Sequence, residues 1–234
     1  MCRRIGSAIY EINISDYFKK YFMSKVGFFY YWLLFILGTA TLVFSSCGQS
    51  TNYNNVVVIN GVKWASCNVD LPGTFAATPE APGMYYQFNR NTGWTFTDMM
   101  ISSDGSTECD SSIPVGDTWK TANDPSPKGW RVPTYEEIKK LLDTNKVRME
   151  RVTENGIDGR RFTDKITGNF IFLPAAGFCD ISDCSLNSVD YYGLYWSSTS
   201  YDTDFAYYLA FFDENAEFGY IDRRGGFSLR PVAK

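Results

Sequence analysis

The sequence predicts an α+β domain of mostly antiparallel strands with long loops and one main helix, at about residues 134–144. Three observations point to this class. Short runs of β-branched and aromatic residues alternate with Asn, Asp and Gly turn signals. Only one segment carries both a helix start signal and an apolar stripe at helical spacing. The stretches between the strands are rich in Gly, Pro, Ser and Thr, a composition typical of loops.

An apolar run at residues 26–44 precedes this domain and ends in Ser45-Ser46-Cys47. Lys25 precedes the run and small residues close it, which is the organisation of an export signal. The six residues that end at Cys47 (LVFSSC) resemble a bacterial lipobox, in which cleavage precedes the cysteine and its thiol carries a lipid. We therefore predict a lipoprotein signal peptide at 23–46 and lipid attachment at Cys47. The alternative is an uncleaved transmembrane anchor, since the run is long enough to cross a bilayer.

The remaining boundaries follow from this signal. Residues 1–22 are interpreted as a start-site extension, because Met23 begins a signal of ordinary length; a long charged leader is the alternative. Residues 47–55 are polar and aperiodic, which predicts a flexible tether. Residues 56–234 then form one domain of ordinary size.

The first strands are predicted at 56–59 and 62–64, because β-branched residues flank an Asn60-Gly61 turn. A short aromatic strand follows at 84–88. The segment 91–128 has many Ser, Thr, Asp, Gly and Pro and few aliphatic residues. It is predicted to be irregular and packed down by its aromatic side chains.

The helix prediction rests on a capping box, with Thr134 as N-cap and Glu137 three residues later. Ile138, Leu141 and Leu142 follow at helical spacing. After the helix, an apolar strand is predicted at 170–174. An antiparallel meander is predicted at 194–199, 205–212, 217–222 and 227–232.

Charge and composition exclude several functions. Residues 1–46 contain five of the 22 basic and two of the 26 acidic residues, so the rest has a net charge near −7. An acidic domain lacks the electrostatic footprint of a nucleic-acid-binding protein. The chain has no histidine, which excludes Ser-His-Asp and Cys-His catalysis. Acidic residues near turns follow no calcium-loop spacing. We therefore predict a non-enzyme without metal or cofactor.

Six phrases in the same order closely resemble the Fibrobacter succinogenes major paralogous domain (FISUMP) family of exported bacterial proteins. They cover about residues 56–234 and stand at 59–65, 83–90, 123–134, 173–177, 195–199 and 226–232. The resemblance implies a C-type-lectin-like fold. It also implies that the first and last strands pair, with 56–59 beside 229–232.

Five residues of these phrases are predicted to hold the fold. Tryptophans suit a loop-rich core, and each arginine has donors for several loop carbonyls or for a carboxylate such as Asp124. These structural residues are Trp64, Trp130, Arg131, Trp196 and Arg230.

The aromatic and polar C-terminal tract is the predicted ligand-binding face. Tyrosine offers rigid contact area, and Asp and Asn add adaptable hydrogen bonds. In retroelement-diversified proteins that share the implied fold, this tract is the variable ligand face. The predicted contact residues are Tyr201, Asp202, Asp204, Tyr207, Asp213, Asn215, Tyr220, Asp222 and Arg223.

The sequence therefore predicts a lipid-anchored, exported binding or adhesion domain in a bacterial envelope, at the outer membrane and facing either the periplasm or the cell surface. Its partners would be the membrane, through the lipid, and an extracellular glycan or protein. One alternative is a structural or pilus-like subunit. A second is a copper-cysteine oxidase that resembles formylglycine-generating enzymes, because Cys179 and Cys184 have a similar spacing. This pair is otherwise interpreted as a local disulfide or as buried thiols.

Overall fold

Strands and loops dominate the computed structural model, which describes residues 56–96, 100–107, 110, 112–180 and 185–234. Within these ranges the one α-helix, α1, spans Tyr135–Leu141, and a 3-10 turn spans Thr121–Asn123. The strands are β1 (Val56–Ile59), β2 (Val62–Ala65), β3 (Tyr85–Tyr86), β4 (Gly93–Phe96), β5 (Met100–Ser102), β6 (Trp130–Arg131), β7 (Val147–Glu154), β8 (Ile157–Asp164), β9 (Phe170–Pro174), β10 (Phe178–Cys179), β11 (Leu186–Asn187), β12 (Gly193–Ser200), β13 (Phe205–Phe212), β14 (Asn215–Asp222) and β15 (Val232–Ala233). The α+β prediction is confirmed.

The described strands form five small sheets. Their orders are β1-β2-β15-β6, β3-β4-β5, β7-β8-β9, β10-β11 and β12-β13-β14, and every strand pair is antiparallel. The predicted leader at 1–46, the lipid site Cys47 and the tether at 47–55 lie outside the described residues. Within the described ranges, no helix is long and apolar enough to cross a membrane.

Local signals explain the elements that the sequence predicted correctly. Asn60 and Gly61 adopt positive φ values of 45° and 77°, as the tight turn between β1 and β2 requires. Thr134 and Glu137 form the reciprocal capping box of α1. The helix ends three residues before the predicted 144. There, the side chain of Asp143 accepts a hydrogen bond from the Asn145 N–H (3.0 Å) and its carbonyl accepts one from Lys146, which begins a turn.

Two predictions were wrong. The segment 91–128 is not wholly irregular, because β4 and β5 pair as a hairpin within it. The last predicted strand does not continue the antiparallel meander, which Ser228 meets only through an isolated parallel bridge to Tyr195. Instead, β15 pairs with β2 and β6, through Val232 opposite Trp64 and Arg131. The first and last segments do lie in one sheet, but β2, not β1, contacts β15.

The sheet β12-β13-β14 separates two apolar clusters. Alternate side chains of a strand point to opposite faces. Tyr195, Leu209 and Phe211 therefore pack on one face with residues of α1 and of the β7-β8-β9 sheet. Leu194 and Trp196 pack on the other face with residues of the N-terminal loops and with Phe227. The central sheet is thus packed against an apolar cluster on each face.

The Asp164 carboxylate connects two turns and should control stability in acid. It accepts hydrogen bonds from the backbone N–H groups of Asn60 (2.8 Å), Ile166 (2.9 Å) and Thr167 (2.9 Å). These donors lower the pKa of Asp164 to about 2. Because the unfolded chain has the higher pKa, this group stabilises the fold above about pH 4, and its contribution is lost as the pH falls towards 2. Asp164→Asn should therefore be less stable at neutral pH and lose less stability between pH 5 and 2. The measurement is the urea midpoint across that range. Parallel pH profiles of the two proteins would contradict this role.

Candidate ligand-binding face

The predicted binding residues divide between the two ends of the β13–β14 hairpin. Tyr207 and Tyr220 form a cross-strand pair near one end, whereas Asp213 and Asn215 lie in and after the turn at the other end. The strands have eight residues, so the ends are about 24 Å apart at 3.4 Å per residue. The sequence prediction of a single continuous face is therefore wrong.

The first end carries a chain of aromatic rings, which we call the aromatic ridge. Tyr201 stacks on Tyr220 with ring centroids 4.1 Å apart and planes 7° apart. The Tyr207 ring meets the Tyr201 ring edge-on, with centroids 5.5 Å apart. It also contacts the Tyr135 ring, with centroids 4.5 Å apart and planes tilted by 37°. The complete ridge comprises Tyr135, Tyr201, Phe205, Tyr207, Phe218 and Tyr220.

Exposure makes the ridge a surface feature. Tyr201 is 48% exposed, Tyr220 54% and Phe205 36%, while Tyr135 and Phe218 are half-buried beneath them. The sequence prediction omitted Tyr135, Phe205 and Phe218. Phe205 and Phe218 share a face with Tyr207 and Tyr220 by strand alternation, which the sequence shows. The position of Tyr135 is a helix–sheet contact, for which the sequence gives no signal.

A tight turn fixes the outer end of the ridge. The side chain of Asp202 accepts hydrogen bonds from the N–H groups of Asp204 and Phe205, both at 2.8 Å. The N–H of Tyr201 donates to the carbonyl of Phe205 at 2.9 Å. Asp202 therefore shapes the turn that positions Tyr201, and the Asp204 side chain is exposed beside it.

Arg223 does not belong to the binding surface, contrary to the sequence prediction. It is 1% exposed, and its guanidinium lies 4.9 Å from the ring centroid of Phe88. It donates to the carbonyls of Gly116 (2.7 Å), Pro114 (3.2 Å), Phe205 (3.3 Å) and Asp202. Burial lowers its pKa. Arg223 fastens the loop at 114–116 to the turn beneath the ridge.

Asp222 is committed to an ion pair with its neighbour. Its carboxylate accepts hydrogen bonds from the Arg224 guanidinium at 2.5 and 2.9 Å and from the Arg224 N–H at 2.9 Å. These bonds lower the pKa of Asp222 despite its partial burial. The charge of Asp222 is therefore largely neutralised at the ridge.

At the far end of the hairpin, Asp213 stabilises its turn. It has a φ of 43°, and its carboxylate lies 3.4 Å from Arg151 and accepts from the Tyr191 hydroxyl at 3.2 Å. The buried guanidinium of Arg160 donates to its carbonyl at 2.5 Å and to that of Glu214 at 3.0 Å. Asn215, the first residue of β14, is exposed. Asp213 therefore has a structural role in this turn. Neither Asp213 nor Asn215 contacts the ridge.

A shallow depression of about 440 Å³ adjoins the base of the ridge at Phe218. Its other lining residues are Glu136, Lys139, Lys140, Leu142 and Asp143. The charges of the two acidic and two basic side chains cancel. The Lys139 ammonium lies 6.0 Å from the ring centroid of Tyr135. The ridge and depression together offer ring surfaces beside polar groups of both signs.

The predicted structural residues lie in the framework. Trp64 and Trp196 are buried, and the Trp196 indole N–H donates to the carbonyl of Tyr86 at 2.8 Å. Trp130 is half-buried and meets Phe75 edge-on at 5.4 Å. Arg131 binds the Glu137 carboxylate through two bonds of 2.6 and 2.8 Å, and not Asp124. Arg230 is buried, and its bonds go to loop carbonyls and to the side chain of Asn68.

Two of the cysteines lie in the described part of the chain, Cys67 and Cys179. Cys67 is buried and disulfide-bonded. Cys179 is also buried, with its Sγ 3.9 Å from the Asp180 carbonyl oxygen. Cys184 lies outside the described residues, so a local Cys179–Cys184 disulfide stays a prediction. In the part of the chain that the structure describes, no group of three His, Cys, Asp or Glu residues is placed to hold a metal ion.

Comparisons of the chain with models of protein families, with curated proteins and with solved structures found no match. Exposed tyrosine rings offer stacking area and hydroxyl groups, an arrangement suited to recognition.

Proposed function

We propose that residues 56–234 form a non-catalytic binding domain that recognises an extracellular or envelope ligand through the aromatic ridge. One observation carries the proposal: about half of each ring of the Tyr201–Tyr220 stack is exposed, although both rings are fixed by neighbours. Aromatic side chains that are already ordered lose little entropy on binding. Exposed, ordered rings are therefore an efficient contact surface.

We further propose a C-type-lectin-like fold. The resemblance to the FISUMP family supports it, as does the sheet that joins β1 and β2 to β15. This arrangement brings the first and last segments of residues 56–234 together. The loops and hairpin ends outside this sheet are not part of that pairing.

A glycan and protein array tests the proposed function. The chain should retain at least one ligand, and the double variant Tyr201→Ala/Tyr220→Ala should lose it, since stacking rings typically dominate such contacts. Tyr191→Ala is a matched control, because Tyr191 is 45% exposed but lies at the other end of the hairpin. Equal binding by the double variant and the chain would remove the ridge as the binding face.

We also propose that the domain is exported and attached to a membrane through Cys47, with the lipobox-like run as support. Bacteria that express the full chain and grow on a palmitate analogue should incorporate label into it. Cys47→Ser should abolish the label and the processing, because the thiol is the acylated group. Cys179→Ser is the matched control, since Cys179 is buried within the domain. Label that persists in Cys47→Ser would contradict the anchor.

A further inference from the structure

Among the described residues, no strand pairs with the outer edge of β14. In its sheet, β14 is the last strand, paired with β13 alone. No described backbone group pairs with the outward N–H and C=O groups of Ala216, Phe218 and Tyr220. Such an edge is a template for another extended chain.

The ladder identifies which groups point outward. The Arg223 N–H donates to the Asp204 carbonyl at 3.0 Å, just beyond the last β13–β14 pair. Hydrogen-bonded pairs alternate in an antiparallel ladder, so the backbone groups of Ala216, Phe218 and Tyr220 point away from β13. The side chains of Phe218 and Tyr220 belong to the ridge. An added strand would therefore lie directly beside the ridge.

The charged side chains of β14 itself are all acidic. Neither β13 nor β14 contains a lysine or arginine. Asp213 and Asp222 are paired with Arg151 and Arg224, respectively. Glu214 and Glu217 are exposed, and among the described residues neither forms an ion pair. Asp202 and Asp204 add two more exposed acids at the ridge end of the hairpin.

We propose that β14 receives an extended, basic segment of a partner polypeptide as an added strand. This inference rests on the proposed binding function and names its partner class. Strand alternation places Glu217 on the face opposite Phe218 and Tyr220. The partner segment therefore alternates basic residues, which meet Glu217, with apolar residues, which extend the ridge.

Charge favours such a segment over a second copy of the chain. Pairing two β14 strands would bring Glu214 and Glu217 of each copy close to the acids of the other. Like charges on adjacent strands are destabilising, and exposed charges on an edge strand oppose self-pairing. A basic segment instead gains opposite-charge contacts along the same edge.

The proposal is tested by measuring the affinity of the full chain, in detergent, for a labelled peptide of alternating lysine and valine. The peptide is as long as β14, and fluorescence polarisation reports its binding. An added antiparallel strand exchanges hydrogen bonds with Phe218 and Tyr220 through residues on the ridge face, here the valines. N-methylation of the valines should weaken binding about tenfold or more, since several hydrogen bonds are lost. N-methylation of the lysines should change it little. The reverse pattern would indicate parallel addition. Equal effects of the two methylations would overturn strand addition.

Two variants test the charge argument. Glu217→Gln should lower the affinity for the lysine–valine peptide and reduce the salt dependence of its binding. Glu150→Gln, the same change on β7, should alter neither. Self-association of the chain that strengthens in Glu217→Gln would overturn the proposal in favour of a second copy. If the peptides fail to bind while an array ligand still requires Tyr201 and Tyr220, strand addition fails but the proposed function stands.

Discussion

Replacing Arg230 by methionine is expected to destabilise the domain by about 3 kcal/mol or more. The guanidinium is 1% exposed and donates to Asn68 Oδ1 (2.8 Å), to the carbonyls of Phe172 (3.0 Å), Pro79 (3.2 Å) and Ala65 (3.3 Å), and to that of Ser66. Methionine fills similar space but leaves these acceptors unsatisfied, and an unsatisfied buried acceptor is costly. Burial lowers the pKa of Arg230 to about 10, so the side chain is charged at neutral pH. The measurement is the free energy of unfolding in urea.

Arg148→Met is the matched control, because Arg148 is largely exposed and pairs only with Glu150 at 3.1 Å. Exposed pairs of this kind contribute about 0–1 kcal/mol. If the two variants were equally stable, Arg230 would not be the connection that holds these loops together.

Replacing Trp196 by alanine is expected to cost about 3–5 kcal/mol. The ring is fully buried, stacks on Phe227 with centroids 4.3 Å apart and contacts Phe88 edge-on at 5.9 Å. Its indole N–H satisfies the Tyr86 carbonyl at 2.8 Å. Alanine would leave a cavity between the central sheet and the N-terminal loops. The Tyr86 carbonyl, which also accepts from the Phe227 N–H at 3.0 Å, would lose one of its two hydrogen bonds. Calorimetry of the variant measures this loss as a lower Tm.

Trp130→Ala provides the comparison, since Trp130 is half-buried at the edge of the framework. Its substitution should cost less than half as much, because less area is removed from contact. An equal fall in Tm for both variants would contradict the central position assigned to Trp196.

Features with local causes could be predicted from the sequence. The Asn60-Gly61 turn and the Thr134–Glu137 capping box each depend on residues a few positions apart, and both are present. The three strands of the meander also appear, since alternation and turn residues define them. The position of β15 depends instead on partners far away in the chain, β2 and β6.

The same distinction explains the errors at the candidate site. Arg223 has the charge and the turn position of a surface contact, but its acceptors Pro114 and Gly116 lie more than a hundred residues away in sequence. Tyr135 joins the ridge only because α1 packs on the sheet. Asp213 and Tyr201 lie in the same tract, yet β13 places them at opposite ends. Burial and distance are properties of the fold, which composition does not reveal.

We propose that the aromatic ridge binds a ligand, whereas the buried framework carries stability. The most direct test measures both the dissociation constant of an array-identified ligand and the Tm for Tyr201→Ala/Tyr220→Ala. We predict a dissociation constant raised about tenfold or more, as for the loss of central aromatic contacts, with a Tm within about 4 °C of the unsubstituted chain. An unchanged dissociation constant, or a loss of binding only in proportion to unfolding, would contradict it.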